Sequence, residues 1–251
     1  MTMSNSSLVN YTKISPNRTS PRNHKIDTIS IHCVVGQCSV ETLGSVFAPA
    51  SRQASSNYGI GYDGKIGMYV EEKDRSWCTS SASNDHRAIT IEVASDTYHP
   101  YKVNDKAYAA LVKLLVDICK RNGIAKLVWS TDKNSRVNHL NGCNMTVHRD
   151  YANKSCPGDY LYNLHGQIAS EVNAILNPVK NPAREEETKM RFNKISEMPK
   201  YAQPSIEKLC DKGVLNGSGG EKDENGRPAD LNLSEDMIRI FVVNDRAGIY
   251  D

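Results

Sequence analysis

Residues 177–194, NPVKNPAREEETKMRFNK, most constrain what this chain can become. Two Asn-Pro breaks followed by a run of charges leave no apolar face to bury. The break divides the 251-residue sequence into a unit large enough for its own core and a smaller remainder. The expected boundaries are a Ser-, Asn- and Pro-rich leader over 1–25, a main domain over 26–178, a linker over 179–194 and a small module over 195–251.

Within the main domain the hydrophobic period changes from two to three-and-four. TISIHCV (28–34) alternates, with Ile29, Ile31 and Cys33 on one face and Ser30, His32 and Val34 on the other, as a half-buried strand does. NYGIGY (57–62), Asp63-Gly64 and KIGMYV (65–70) predict a hairpin. AITIEVA (88–94) and KLVWS (126–130) predict further strands. From Asp105 the apolar residues Tyr108, Leu111, Val112, Leu115, Ile118 and Cys119 recur at helical steps, with Asn104 as N-cap and Gly123 as stop. LYNLHGQIASEVNAIL (161–176) predicts a closing amphipathic helix. The expected fold is therefore α/β, a mixed central sheet flanked by helices, followed by a small mainly helical C-terminal module built on 201–217 and 233–248.

Composition narrows the function classes. A hydrophobic fraction of 39% and a charged fraction of 24% exclude a fibrous or wholly disordered chain. The net charge of +2 hides an asymmetry: residues 1–180 carry 20 Lys+Arg against 15 Asp+Glu, the remainder 11 against 14. A mildly basic main domain suits an anionic polymer, but the surplus is too small to imply nucleic acid. MTMSNSSLVNYTKISPNRTS lacks the apolar run of a secretory signal, and no later stretch has the ~18 apolar residues of a membrane span. A chain made in the cytoplasm, with no membrane partner, is the expectation. Seven cysteines, an odd number, then favour metal or core roles over a disulfide framework.

The chemistry lies in Thr146-Val-His148-Arg-Asp-Tyr-Ala-Asn-Lys154-Ser-Cys156-Pro-Gly158. His148, Cys156 and the strand residue His32 are three candidate zinc ligands of suitable hardness. Three ligands leave one tetrahedral position open, where a water with its pKa lowered to about 7 becomes a nucleophile. The residues alone leave two other readings open: a strand histidine bonded to backbone at 32, and a thiol hydrolase with Cys33 or Cys156 paired to His148.

IHCVVG, ASSNYGIGYDGKI, WCTSS, AITIEVA and HRDYANKSCPGDYL occur in that order over residues 26–176. In this the sequence resembles the type 2 N-acetylmuramoyl-L-alanine amidases, which share a fold with peptidoglycan-recognition proteins and many phage endolysins. The resemblance implies one catalytic zinc ion (Zn2+) held by His32, His148 and Cys156. It implies that Glu92 is the acid beside the attacking water and Lys154 the cationic group. It further implies hydrolysis of the amide between N-acetylmuramic acid and L-alanine in bacterial peptidoglycan, by an endolysin released through a phage holin. Recognition members of the same fold bind peptidoglycan without cleaving it, which is the alternative function.

Two positions depart from the family pattern. Ser56 stands where some members carry a tyrosine seven residues before the Asp-Gly turn, with Tyr58 two further on, and Trp77-Cys78 stands where related sequences have Trp-His. Tyr58 and Trp77 are the candidate substrate contacts, Trp77 either stacking on sugar or plugging the core edge. Cys33, Cys38 and Cys119 are expected in the core, and Cys78 and Cys143 at the pocket rim. The C-terminal module resembles a single surface-layer-homology unit, implying wall anchoring or self-association.

Overall fold

A computed structural model describes residues 4–178 and 190–251. The chain divides into two compact units, residues 1–178 and 179–251. The expected linker, 179–194, falls mostly on residues 179–189, which lie outside the described set.

In chain order the first unit contains β1 (Tyr11–Thr12), β2 (Arg18–Thr19), β3 (Thr28–Cys33), α1 (Val40–Phe47), β4 (Tyr58–Ile60), β5 (Ile66–Met68), β6 (Arg75–Ser76), α2 (Ala82–Arg87), β7 (Ala88–Val93), α3 (Asp105–Asn122), α4 (Lys133–Val137), β8 (Met145–Thr146) and α5 (Gly158–Leu176). A six-stranded mixed sheet runs β1-β5-β4-β7-β3-β8. Only the β4–β5 hairpin is antiparallel within it; β1 with β5, β4 with β7, and β3 with β7 and β8 are parallel. This is the mixed α/β class that the periodicities predict.

Strand alternation sorts the two sheet faces. Ile29, Ile31 and Cys33 of β3 and Ile89, Ile91 and Val93 of β7 share a core with Leu111, Leu115 and Ile118 of α3 and Leu161 and Ile168 of α5. Each fully buried isoleucine there contributes roughly 1.5–3 kcal/mol by leaving water. The opposite face carries Ser30, His32, Thr90 and Glu92. It too is covered: Ser30, His32 and Thr90 are fully buried, so the expectation of a half-buried strand is corrected. Hydrogen bonds make that burial tolerable, such as Ser76 Oγ to Thr90 Oγ1 at 2.7 Å and Asn57 N to Thr90 Oγ1 at 3.1 Å.

Local chemistry sets the element ends. Asn104 caps α3 by accepting from Ala107 N, and Gly123 closes it at φ 68°. Gly64 at φ 83° lets the 61–65 turn close, with Gly61 N donating to Lys65 O.

Two expectations are corrected. Residues 126–130 are not a strand: Leu127 N donates to Asn173 Oδ1 and Val128 N to Asn144 Oδ1, and the backbone bond from Asn144 N to Val128 O is not continued as a ladder. Nor is the segment before Ile26 a loose leader. β1 extends the sheet beside β5, β2 pairs with β6, and buried Arg22 donates to the carbonyls of Glu72, Asp74 and His86.

The second unit holds β9 (Arg191–Phe192), α6 (Gln203–Asp211), β10 (Leu233–Ser234) and α7 (Glu235–Arg246), with β9 and β10 antiparallel. Phe192, Ile195, Ile206, Leu209, Ile238 and Val242 form its core. No helix among the described residues is long and apolar enough to cross a membrane.

A buried carboxylate ties the first unit together. Glu72, fully buried, accepts from Tyr58 Oη at 2.7 Å, Arg121 Nη2 at 2.6 Å and Asn122 Nδ2 at 3.0 Å, joining β4 to the end of α3. Removing one partner of such a pair strands the other, so Glu72→Ala should destabilise the domain by about 3–5 kcal/mol in urea unfolding. A loss below about 1 kcal/mol, the range of an exposed pair, would show that solvent reaches the network.

Candidate metal centre

The parallel register of β3 and β7 sets His32 opposite Glu92. Residues paired in this way point to the same sheet face. His32 is fully buried. Its Nδ1 lies 3.3 Å from Cys156 Sγ and 3.9 Å from Glu92 Oε1, and its Nε2 lies 3.2 Å from Ser30 Oγ.

His148 follows β8, the strand on the other side of β3. Its turn is pinned by Asp150, which accepts two bonds from Arg136 at 2.8 and 2.6 Å in a pair almost wholly out of solvent. Arg149 N donates to Cys156 O at 3.2 Å and closes the loop that carries the cysteine. The His32 and His148 rings lie 5.2 Å apart, and His148 Nε2 is 3.0 Å from Ser80 Oγ.

One ligand atom each from His32, His148 and Cys156 lies within 4.8 Å of the others; His32, Cys78 and Glu92 form a second such group. Zn–S of about 2.3 Å and Zn–N of about 2.0–2.1 Å at tetrahedral angles require donor separations of roughly 3.3–3.8 Å. The His32 Nδ1–Cys156 Sγ separation already lies at that value. The donor set, two imidazoles and a thiol with a carboxylate alongside, fits zinc.

Electrostatics agree with a site meant for a cation. Burial, with His148 and His165 nearby, pushes the His32 pKa down to about 3. Burial and the Lys154 charge lower that of His148, so both rings are neutral and free to donate a lone pair. Glu92 is pushed up to about 8, first by burial and then by Cys33, and its Oε2 is buried without a hydrogen-bond partner. The Cys156 thiol is held up by its hydrogen bond with Cys33 and by burial. Without a cation it is therefore a neutral thiol, which is poor preparation for a nucleophile.

The remaining sequence candidates fall elsewhere. Lys154 is exposed and lines, with Lys133, Arg149 and Tyr151, an open depression of about 540 Å³. Tyr58 is fully buried with its hydroxyl donating to Glu72 and accepting from Ser6 N, so it presents no surface to a substrate. Trp77 is half-buried, its Nε1 donating to Thr19 Oγ1 at 3.0 Å. Cys33 and Cys119 lie in the core, as does Cys143, which is buried rather than at a rim, while Cys38 is only half-buried, against Leu43, Phe47 and Tyr69.

Cys78, expected at the pocket rim, lies against Glu92. Its Sγ lies 3.9 Å from Glu92 Oε1, and its substitution for a family histidine was the available signal. Ser30 and Ser80, one on each histidine, had no sequence signal.

A profile of the N-acetylmuramoyl-L-alanine amidase family matches residues 22–159. No curated protein matches the chain. Among solved structures, a mutant endolysin from Bacillus subtilis is 16% identical with a TM-score of 0.49, covering 65% of this chain and 99% of its own. The N-acetylmuramoyl-L-alanine amidase LysC from Clostridium intestinale URNW is 14% identical with a TM-score of 0.46, covering 65% and 97%. The drosophila peptidoglycan recognition protein SD is 18% identical with a TM-score of 0.44, covering 63% and 94%.

His165, on α5, bears on how the fold responds to acid. It is fully buried, its Nδ1 donates to Leu161 O at 2.6 Å, its Nε2 has no partner, and burial pushes it from 6.5 down to about 4. The unfolded chain takes up a proton that the folded chain refuses. Stability from this residue is therefore complete above about pH 6.5 and falls as pH drops towards 4. At pH 5 the loss is about 2 kcal/mol. In metal-free urea titrations His165→Phe should lose that much less between pH 7 and 5. Equal losses in both proteins would clear His165 of the effect.

Proposed function

The chain belongs to the N-acetylmuramoyl-L-alanine amidase family, and from that premise we propose that it is a zinc-dependent endolysin. It cleaves the amide between N-acetylmuramic acid and L-alanine in bacterial peptidoglycan. The observation that carries the zinc reading is the meeting of donor atoms from His32, His148 and Cys156 within 4.8 Å, from positions far apart in the chain. A zinc ion there supplies Lewis-acid polarisation of the scissile carbonyl and acidifies the attacking water.

The chain's own groups do the rest. Ser30 beside His32 Nε2 and Ser80 beside His148 Nε2 fix ring tautomers, leaving each Nδ1 as an electron-pair donor. Glu92, facing His32 across the strand pair, takes the proton of the attacking water and passes it to the departing L-alanine nitrogen. Lys154, on the exposed loop two residues before Cys156, steadies the oxyanion. Trp77, half-buried beside Thr19, stacks on sugar with its exposed part.

Release of the protein to its polymer follows synthesis in the cytoplasm and passage through a phage holin. The second unit anchors the chain to the wall or pairs two copies. Supporting this, Met237, Ile240 and Val243 on α7 form an exposed apolar stripe. In the full chain Ile240→Glu should abolish either wall retention in a sedimentation assay or the dimer in ultracentrifugation. If it leaves both unchanged, the stripe has neither role.

Purified walls incubated with the protein should yield new L-alanine amino termini. The yield should vanish with chelator or in Cys156→Ser and, for the wild type, return with zinc. Glu92→Gln should lower kcat by roughly 10²–10⁴-fold and Lys154→Ala by about 10²-fold, each still retaining one zinc per chain. Wild-type turnover by the Glu92 variant overturns its assignment. Cleavage that persists in chelator replaces zinc by a thiol nucleophile, and binding without cleavage makes the chain a recognition protein.

A further inference from the structure

His148 and Cys156 are joined by a short stretch of chain with little core packing to hold it in shape. Main-chain bonds fix its start, where Tyr151 N and Ala152 N both donate to His148 O, at 3.0 and 3.1 Å, and one bond closes it, from Arg149 N to Cys156 O at 3.2 Å. None of residues 152–155 is buried, and Asn153, Lys154 and Ser155 are exposed. The cysteine therefore hangs on a segment that the hydrophobic effect does not place.

The Arg149 side chain supplies the fastening. Its Nη2 donates to Ser155 O at 2.5 Å and to Asp159 Oδ1, in the first turn of α5, at 3.1 Å. The same Ser155 carbonyl accepts from Gly158 N at 2.8 Å. The guanidinium carbon stands 4.5 Å from the centre of the Tyr162 ring, also on α5. Asp159 is held in turn by His99, whose Nε2 lies 2.9 Å from Oδ2. The residue next to one ligand thus grips the carbonyl next to the other and ties both to a helix.

We infer that Arg149 is a positioning residue for the metal centre: its side chain sets the separation of His148 and Cys156 before the ion arrives. The inference rests on the zinc reading above and extends it to a residue outside the ligand set. A ligand on a free loop loses conformational freedom when metal binds, and that loss weakens affinity. A loop ordered in advance escapes it.

Two simpler roles for Arg149 forecast something else. Acting only as a positive charge beside a divalent ion, it repels the ion, and its removal tightens binding. Acting only as a surface ion pair, it leaves zinc affinity unchanged: the Arg149 and Asp159 side chains are 26% and 51% exposed, and such pairs contribute little even to stability. A clamp alone makes the loss of a cation weaken the hold on zinc.

Zinc affinity of the full chain, read by competition with a chromophoric chelator, separates these roles. Arg149→Ala should bind zinc about tenfold or more weaker than wild type. Its far-ultraviolet circular dichroism and the urea midpoint of its metal-free form should stay close to wild type. Arg149→Met, which keeps the stem over Tyr162 and removes every donor, should show the same loss and serves as the reading if the alanine variant does not fold. Arg149→Lys, which can still donate to Ser155 O, should recover most of the affinity. Lys133→Ala removes a positive charge from the same depression without touching the clamp, and should bind zinc no more weakly than wild type. Affinity equal to or tighter than wild type in the Arg149 variants, or an equal weakening in Lys133→Ala, overturns the clamp and leaves the three-ligand site standing. Failure of the wild-type chain to bind zinc, or binding that Cys156→Ser leaves intact, overturns the zinc reading and the clamp with it.

Discussion

The parallel pairing of β3 with β7, in the register that sets His32 beside Glu92, is the constraint on which the rest depends. A slip of β3 by one residue would turn His32 into the apolar core and bring Ile31 or Cys33 to the polar face opposite Glu92. What forbids the slip is the burial of Ile29, Ile31, Ile89, Ile91 and Val93 under α3 and α5. The chemistry of one face is thus held in place by the hydrophobic effect acting on the other.

Loops border the site, and two of them are fastened by buried carboxylates. Asp150 with Arg136 fixes the turn of His148. Asp85 gathers the amides of Cys78 and Thr79. Glu72, bound by Tyr58, Arg121 and Asn122, braces the sheet against the end of α3. Fully bonded in this way, buried charge becomes a means of positioning, and the site is spared the looseness of free loops.

Most long elements were legible because their signals are local. The β4–β5 hairpin follows from Asp63-Gly64, and α3 follows from its periodicity and its Asn104 and Gly123 ends. KLVWS misled because β-branched and aromatic residues declare an extended backbone without declaring a partner, and here Asn144 and Asn173 take the place of a strand. Residues before Ile26 looked loose because two-residue strands carry no period, yet β5 and β6 supply their pairing. Tyr58 looked like a surface contact because an aromatic near a turn gives no sign that Glu72 waits in the interior.

By itself, then, the sequence determined the secondary structure that periodicity and capping encode, the break near residue 178, and the residue types fit for zinc. The tertiary structure decided which of those residues meet. It joined His32 to Cys156 across 124 positions, set Cys78 against Glu92, added two serines, and withdrew Tyr58 into the core. The physical reason is that helical and strand periods are properties of neighbours along the chain, whereas a donor set within 4.8 Å is a property of sheet register and loop closure, which no local pattern records.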